Sequence, residues 1–257
     1  MLAPQRQAAI AEKVRLYGAV KVSDLVAEFH VSDMTIRRDL EILAQRGLAA
    51  KVHGGATFVQ TEVRAEPGFA VRSVQQLPAK EAIARAAADL VRPGQSVALS
   101  AGTTTWVLAQ HLVAVADLTV VTNSIQVADV FHQHGRDDHQ VILTGGTRTP
   151  SDALVGPFAN NCLDSINVDS LFLGVHGIST ARGFTSPNLD ESETNRALVR
   201  AARRLIVVAD STKWQVVGLR TIASISQADV LVSDSAMPDP AKTALREHVG
   251  QLIIADD

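Results

Sequence analysis

Hydrophobic and polar positions in the first 57 residues follow the period of three short amphipathic helices. Apolar side chains recur at helical spacing at Ile10, Val14 and Tyr17, at Leu25, Val26 and Phe29, and at Ile36, Leu40 and Leu43. Ser23 and Ser32 stand where the N-caps of the second and third helices are expected, because a serine hydroxyl accepts a free backbone N–H of the first turn. Two capped helices joined by a tight connection are typical of a helix-turn-helix.

The residues after the third helix predict a β-hairpin. Segments 48–51 and 56–59 are suited to form two strands, and Gly54 and Gly55 between them permit a tight turn. A hairpin in this place is a wing, so we assign residues 1–57 to a winged helix-turn-helix domain.

Beyond residue 93 the pattern changes to short apolar runs that alternate with helical stretches. The runs are rich in β-branched residues and end in small polar ones, as in SVALSAG, LTVVTNS, HQVILTGG, SLFLGVHG, RRLIVVADS and DVLVSD. We predict helices at 104–112, 124–131, 160–166, 191–202 and 240–248. This alternation predicts an α/β domain with a mainly parallel sheet. We assign it to residues 78–257, with an alanine-rich helix at its start and a linker at 58–77.

Composition changes this picture little. The 257 residues are 46% hydrophobic and 20% charged, as in an ordinary soluble protein. The absence of a long apolar run and of a signal-peptide pattern predicts a cytoplasmic protein without a membrane partner. Cys162 is the only cysteine, which excludes an intrachain disulfide. Scattered histidines and one cysteine make no metal-ligand spacing, so we expect no metal site and no cofactor.

The charge is divided unevenly along the chain. Residues 1–57 hold eight Lys/Arg and six Asp/Glu, whereas the remainder holds 16 and 21. A mildly basic head on an acidic body fits a DNA-binding domain joined to a regulatory domain.

The third predicted helix carries groups that are suited to a DNA major groove. Arg37 and Arg38 can bond phosphate or a guanine edge, and Ser32 and Thr35 at the helix start can bond phosphate oxygens. The candidate DNA-binding residues are Ser23, Ser32, Asp33, Met34, Thr35, Arg37, Arg38, Lys51, His53 and Gly54. Asp39 would repel phosphate, so we expect it to brace an arginine or to cap a neighbouring element. A purely structural role stays open for Asp39 and for His53.

The ends of the predicted strands carry groups that are suited to a phosphorylated sugar. In a parallel sheet, ligands bind beyond the carboxyl ends of the strands. A glycine and three threonines at a helix start offer N–H groups, hydroxyls and the positive end of the helix dipole to an anion. Basic side chains can neutralise the anion, while amides and carboxylates can bond sugar hydroxyls. The candidate effector-binding residues are Gly102, Thr103, Thr104, Thr105, Thr122, Asn123, Ser124, Gly145, Gly146, Arg148, His176, Asp190, Glu191, Glu193 and Lys213. Each loop by itself also has the composition of an ordinary turn.

Long motifs give the chain a resemblance to a known family. VSDMTIRRDLEILAQRGLAAKVHGGA is similar to the DNA-binding signature of the DeoR family of bacterial transcription regulators. AGTTTWVLAQHL, ILTGGTRTPSDALVG, GFTSPNLDESETNRALV and VVADSTKW resemble successive blocks of that family's effector domain. The resemblance implies a regulator, most often a repressor, that senses phosphorylated sugars or related metabolites. It also implies an effector domain similar in fold to ribose-5-phosphate isomerase and glucosamine-6-phosphate deaminase.

Four positions qualify or extend the resemblance. Lys51 stands where the family usually has arginine, and Ser100 stands where it usually has aspartate, two residues before the glycine of the GTTT loop. The missing carboxylate at Ser100 puts the ligand class in question more than the fold. Arg72 and Lys80 occupy the family's usual positions in the connecting helix. For Lys80 we favour a surface lysine.

Two other functions remain open at this point. A sugar-phosphate isomerase or deaminase with an appended DNA-binding head would need an acid-base pair, for which His176, Asp190, Glu191 and Glu193 are available. Against it, the strand ending in LGVHG lacks the acids that the related isomerases carry in an Asp-Gly-Ala-Asp-type motif. The α/β domain could also serve oligomerisation alone. We favour a regulator without catalytic residues, with a double-stranded DNA operator and a phosphorylated sugar as partners, acting as a homodimer or homotetramer.

Overall fold

The computed structural model describes residues 3–17, 19–45, 49–52, 54–57 and 68–256. The chain divides into two compact units, residues 1–65 and 66–257. The N-terminal unit contains α1 (Ala3–Tyr17), β1 (Ala19–Lys21), α2 (Val22–Phe29), α3 (Asp33–Gln45), β2 (Ala50–Val52) and β3 (Gly55–Thr57).

The three helices of this unit pack their apolar stripes together. Ile10, Leu25, Ile36, Leu40 and Leu43 are at most 2% exposed, and all five are positions that the helical spacing predicted. Their burial fixes which side of α3 faces the core and therefore which side is left for a partner.

The predicted wing is present, and β1 joins it as a third strand. The strands pair antiparallel in the order β1-β3-β2. Gly54, between β2 and β3, has φ of 80°, which favours glycine. A Cβ atom at Gly55 would lie 2.1 Å from the carbonyl oxygen of Val20, so β1 approaches closely only because this residue is glycine.

The two predicted helix caps differ in outcome. Ser32 caps α3, because its hydroxyl accepts the backbone N–H of Thr35 at 3.3 Å. The cap at Ser23 is wrong, since α2 begins at Val22 and Ser23 lies inside it. The N–H of Val22 instead donates to the carbonyl of Gly54 at 2.9 Å, so the wing turn holds the start of this helix.

The C-terminal unit opens with helices that cover part of the predicted linker. Its first half contains α4 (Phe69–Val74), α5 (Leu77–Ala88), β4 (Ser96–Leu99), α6 (Thr103–Leu112), β5 (Thr119–Thr122), α7 (Ile125–His134), β6 (Gln140–Leu143), β7 (Thr147–Arg148) and β8 (Leu154–Val155). Residues 58–67 of the predicted linker lie outside the described residues, while α4 and the first residue of α5 fall within its remainder.

The second half completes the strand-helix alternation. It contains α8 (Pro157–Asp164), β9 (Ser170–Gly174), β10 (Gly177–Ser179), β11 (Gly183–Ser186), α9 (Leu189–Ala201), β12 (Leu205–Val208), β13 (Arg220–Ala223), β14 (Val230–Asp234), α10 (Asp239–Arg246) and β15 (Gln251–Ala255). Short 3-10 helices lie at Ser211–Lys213 and Ile225–Gln227. The five helices predicted for the C-terminal unit as a whole are all present, with ends shifted by at most three residues.

A seven-stranded parallel sheet confirms the predicted α/β class. Its order is β15-β14-β12-β9-β4-β5-β6, and every neighbouring pair is parallel. Leu205 and Val207 of β12 pack into the core that contains α9, whereas Ile206 and Val208 pack into the core that contains α5 and α6. Strands buried on both faces explain the nearly continuous apolar runs of the sequence.

Two smaller β structures accompany this sheet. Strands β10, β11 and β13 form an antiparallel sheet, and β7 and β8 form a hairpin. Over the part of the chain that the structure describes, no helix is long and apolar enough to cross a bilayer.

Candidate nucleic-acid interface and anion cleft

The start of α3 presents a polar, exposed surface. The hydroxyls of Ser32 and Thr35 lie 2.9 Å apart. Met34, beside them, is 80% exposed. A helix end that offers hydroxyls, N–H groups and a methyl-bearing side chain to solvent can contact both phosphates and thymine methyl groups.

The two arginines of α3 are in different electrostatic states. Arg37 pairs with Asp33 one turn earlier, through Nε and through Nη2 at 3.3 Å from Oδ2, and this carboxylate raises the pKa of Arg37. Arg38 is exposed and pairs with none of the described residues. The guanidinium group of Arg38 is therefore available to a phosphate or a base, whereas that of Arg37 would first have to leave the carboxylate of Asp33.

Asp39 braces an arginine, as expected, but one that lies on another helix. It is 3% exposed and accepts from Nε of Arg6 at 2.6 Å and from Nε2 of Gln7 at 2.9 Å. This buried charged pair joins α1 to the inner side of α3 and keeps the carboxylate away from the exposed surface.

The remaining predicted DNA contacts belong to the wing and to α2. Lys51 lies in β2, Gly54 lies at the hairpin turn, and His53 lies outside the described residues. Ser23 is exposed and donates to Oδ1 of Asp24 at 3.0 Å.

The C-terminal unit contains a cleft of about 240 Å³ at the carboxyl ends of β4, β9 and β12. These strands are adjacent in the middle of the sheet. Six predicted effector residues line the cleft: Gly102, Thr103, Thr104, His176, Glu191 and Lys213. The structure thus brings together residues that are separated by more than 100 positions in the sequence.

The start of α6 forms one side of the cleft. Gly102 occupies the N-cap position without a side-chain cap, so the first N–H groups of this helix are available to a ligand. Thr103 and Thr104 line the cleft, and their hydroxyls make no hydrogen bond with any residue that the structure describes. The hydroxyl of Thr105 turns inward and donates to the carbonyls of Ser100 and Gly102 at 2.7 and 2.9 Å.

Lys80 is buried in the cleft wall rather than on the surface, which corrects our expectation. It is 4% exposed, and its Nζ donates to the carbonyls of Arg72 and Gln75, both at 2.6 Å. Burial lowers the pKa of Lys80 to about 8. Asp210 opposes this decrease, while Lys213 and Arg72 add to it. A cluster of positive groups therefore lies beside the uncapped start of α6, and an anion would stabilise the charge on Lys80.

Residues of α9 form part of another side of the cleft. Glu191 and Asn195 lie one turn apart, with Ser151 and Ser186 also lining this region. Oε1 of Glu191 accepts from Thr149 at 2.8 Å and from the hydroxyl of Ser151. These contacts attach the β7–β8 hairpin to the cleft.

Nine predicted effector residues lie outside the cleft lining. Three of them support the neighbouring loops: Asn123 accepts from the N–H of Ala101 at 2.9 Å, Thr122 donates to the carbonyl of Leu99 at 2.7 Å, and Ser124 caps α7. The others are Thr105, Gly145, Gly146, Arg148, Asp190 and Glu193. Arg148 pairs with Asp152 and Glu193 pairs with Arg220, at 2.6 and 2.7 Å.

The position of Ser100 explains how its departure from the family pattern acts. Ser100 is fully buried, and its hydroxyl accepts the N–H of Gly174 at 3.0 Å. Gly174 lines the cleft, whereas Ser100 lies beneath it. An aspartate here would place a negative charge beside Gly174, whereas serine is neutral and adds no charge that would repel an anion.

Sequence reasoning missed several residues that line the cleft. They include Gln75, Gln76, Ser151, Ser186 and Asn195, together with Arg72 and Lys80, which the resemblance marked without a role. A signal for Lys80 was available, since it is in helical phase with the buried Ile83, Ala84 and Ala87. Among the described residues there is no group of three His, Cys, Asp or Glu that could hold a metal ion.

Comparison with protein families decides the assignment of both units. A model of the DeoR-like helix-turn-helix domain matches residues 6–62, and a model of the DeoR C terminal sensor domain matches residues 75–235. The chain belongs to the DeoR family of transcriptional regulators. The resemblance seen in the sequence motifs is thereby confirmed for both units of this DeoR-family chain.

Individual relatives span nearly the whole DeoR-family chain. The putative aga operon transcriptional repressor of Escherichia coli O157:H7 is 32% identical, over 98% of this chain and 94% of the relative. The glycerol-3-phosphate regulon repressor of Escherichia coli strain K12 is 30% identical, over 96% and 97%. Among solved structures, ribose 5-phosphate isomerase A of Methanocaldococcus jannaschii is 15% identical, over 52% of this chain and 53% of that chain, with a TM-score of 0.39.

Proposed function

We propose that this DeoR-family chain is a DNA-binding repressor of carbohydrate-metabolism genes, controlled by a phosphorylated sugar or a related metabolite in the cleft. The names of its relatives support repression, and one is named for a glycerol-3-phosphate regulon. In this proposal α3 enters the major groove with Arg37 and Arg38, while the wing contacts the adjacent backbone.

The observation that carries the effector proposal is the uncapped start of α6 beside Lys80 and Lys213. Both lysines line the cleft together with Thr103 and Thr104. Backbone N–H groups at a helix start and nearby ammonium groups stabilise a phosphate dianion. The side chain of Lys213 makes no hydrogen bond or ion pair with the described residues, so its charge is available to the ligand.

Calorimetry with phosphorylated sugars and their unphosphorylated counterparts tests this proposal. We expect binding only when the phosphate is present, and a loss of about tenfold or more in affinity for Lys213→Met. Lys242→Met is the matched control, because Lys242 lies on α10 and pairs with Asp239. Equal binding of sugars with and without phosphate would contradict the proposal.

The link to transcription is tested on duplex DNA from the promoter of the chain's own operon. We expect specific binding in a gel shift and release by the ligand found in calorimetry, because two sites coupled through one protein alter each other's affinity. A ligand that binds but leaves the DNA affinity unchanged would contradict control by that ligand.

We propose that the cleft does not catalyse a reaction, although His176 and Glu191 both line it. One oxygen of Glu191 is engaged by Thr149 and Ser151, and Glu193 is paired with Arg220. These contacts suit binding better than proton transfer. Turnover of any bound sugar phosphate at an enzyme-like rate would favour the isomerase or deaminase alternative.

We also propose that the chain acts as a homodimer or homotetramer. Helix-turn-helix proteins commonly bind paired half-sites about 34 Å apart, which requires two recognition helices. Light scattering should show an oligomer at concentrations that saturate the operator, and a monomer on DNA would contradict this proposal.

A further inference from the structure

The two sides of the cleft differ in chemistry. Helices α5 and α6 pack on one face of the parallel sheet, and α9 packs on the other. The ionised groups that act on Lys80 are Asp210, Lys213 and Arg72. The α9 side instead presents a carboxylate and an amide. A ligand that spans the cleft therefore meets positive charge at one end and a neutral or negative surface at the other.

Asn195 offers an amide to the cleft on the α9 side. It is 8% exposed, lines the cleft, and makes no side-chain hydrogen bond with the residues that the structure describes. The amide nitrogen and oxygen of Asn195 are not among the fully buried polar atoms of the described residues that lack a partner, so they remain accessible from the cleft. An amide can both donate to and accept from a hydroxyl, so a hydroxylated ligand would satisfy it.

Glu191 is held in place so that one carboxylate oxygen remains for a ligand. Thr149 and Ser151 both donate to Oε1, whereas Oε2 has no partner within the described part of the chain. Because Glu191 and Asn195 are one helical turn apart, both can contact the same end of a small ligand. A carboxylate attracts hydroxyl donors and repels a second anionic group.

We infer that Glu191 and Asn195 determine specificity for a ligand with one phosphate and an uncharged, hydroxylated remainder. In this arrangement the phosphate lies at the start of α6, and the hydroxyls of the ligand contact Asn195 and Oε2 of Glu191. A metabolite with a carboxylate or second phosphate at that end is rejected. This inference rests on the proposed function, because it assigns the second half of the same cleft.

Two matched pairs of compounds test the inference by calorimetry: glycerol 3-phosphate with 3-phosphoglycerate, and glucitol 6-phosphate with 6-phosphogluconate. Each acid differs from its partner mainly by a carboxylate at the end remote from the phosphate. We expect the wild-type chain to bind the uncharged member of at least one pair about tenfold or more tightly than the acid.

Glu191→Gln should reduce the ratio of the two affinities, because it removes the repulsion between Glu191 and the carboxylate of the acid while keeping the shape of the side chain. Asn195→Leu should weaken binding of the uncharged member but leave the affinity for inorganic phosphate unchanged. A general loss of structure would reduce both affinities. Glu247→Gln, an exposed substitution at the C-cap of α10, is the control and should change neither quantity.

The outcomes separate this inference from the proposed function. Equal affinity for both members of each pair in the wild-type chain, or an unchanged ratio in Glu191→Gln, would overturn the inference and leave a phosphate-binding cleft. Failure of all four compounds and of inorganic phosphate to bind would overturn the proposed function, and this inference with it.

Discussion

The starts of α3 and α6 are the two places at which we propose that phosphate binds, and they differ in burial and in capping. The start of α3 is exposed and capped by Ser32, and its cations are long side chains that project from the following turn. The start of α6 has no side-chain cap, and its Thr103 and Thr104 are each 8% exposed. The first surface is open enough for a large polyanion, whereas the second lies in a cleft with room for a small anion.

The difference shows how burial decides which groups provide the binding energy. On an exposed surface the charge of an arginine is screened by salt, so affinity depends on several cations and falls as the salt concentration rises. In a cleft a few N–H groups and hydroxyls suffice, because the surrounding protein screens them less. We therefore expect substitutions at the two helix starts to change the affinity by different amounts and with a different dependence on salt.

The largest expected effect concerns the arginines of α3. Arg37→Ala with Arg38→Ala should weaken operator binding by about a hundredfold to a thousandfold, with a smaller slope of affinity against salt. Of the single variants, Arg38→Ala should cost more, because Arg37 is paired with Asp33. Fluorescence anisotropy at several salt concentrations measures both quantities.

Arg246→Ala on α10 is the matched control for this experiment, since Arg246 is exposed and lies in the other unit. Unchanged affinity in the folded double variant would show that α3 is not the recognition helix. A large loss with the original salt slope would place the arginines at base edges rather than at phosphates.

The next effect tests how α3 is held. Asp39→Ala leaves Arg6 buried without its partner and should lower the free energy of unfolding of the N-terminal unit by about 3 kcal/mol. Hydrogen exchange of the amides of α1 and α3 measures this loss. Asp33→Ala, which removes a carboxylate from the exposed side of the same helix, should leave protection unchanged. Equal protection in both variants would contradict a structural role for Asp39.

The sequence predicted the N-terminal unit well because its signals are local. The spacing of Ile36, Leu40 and Leu43 and the cap at Ser32 act within a few residues of each other, and the structure agrees with them. The cap at Ser23 failed because a tertiary contact, from Val22 to Gly54, decides where α2 begins. The local preference of a residue for the N-cap is overridden where backbone groups that are distant in the sequence form a hydrogen bond.

The cleft was predictable only in part because it depends on strand order. The ends of all the parallel strands share one edge, but only those of β4, β9 and β12 meet at the cleft. Residues that follow β5 and β6 have side chains suited to ligand binding but lie outside the cleft lining. Asn123, for example, forms hydrogen bonds with the backbone of Ala101 and Leu154. Lys80 was misjudged because a charged residue in phase with an apolar stripe is most often exposed.

A smaller effect distinguishes the three threonines at the start of α6. Thr103→Val and Thr104→Val should each weaken binding of a phosphorylated ligand by about tenfold and leave stability unchanged, since their hydroxyls have no partner among the described residues. Thr105→Val should instead lower stability by about 1–2 kcal/mol, because it loses bonds to Ser100 and Gly102. Calorimetry and thermal melts measure the two effects. Loss of ligand affinity in Thr105→Val alone would reverse these roles.

The smallest expected effect is the uptake of a fraction of a proton by Lys80 when a ligand binds. Burial lowers its pKa from 10.5 to about 8, so the folded chain loses this proton at a pH where the unfolded chain retains it. This contribution to stability is therefore fully present above about pH 10.5 and decreases as the pH falls through about 8.

A bound phosphate should raise the pKa of Lys80, so binding of the ligand near pH 8.5 should be accompanied by proton uptake. Calorimetry in two buffers of different ionisation enthalpy measures this uptake, and Lys80→Met should abolish it. Uptake that persists in Lys80→Met would assign the proton to the ligand or to another group, and the start of α6 would then bind its anion without help from Lys80.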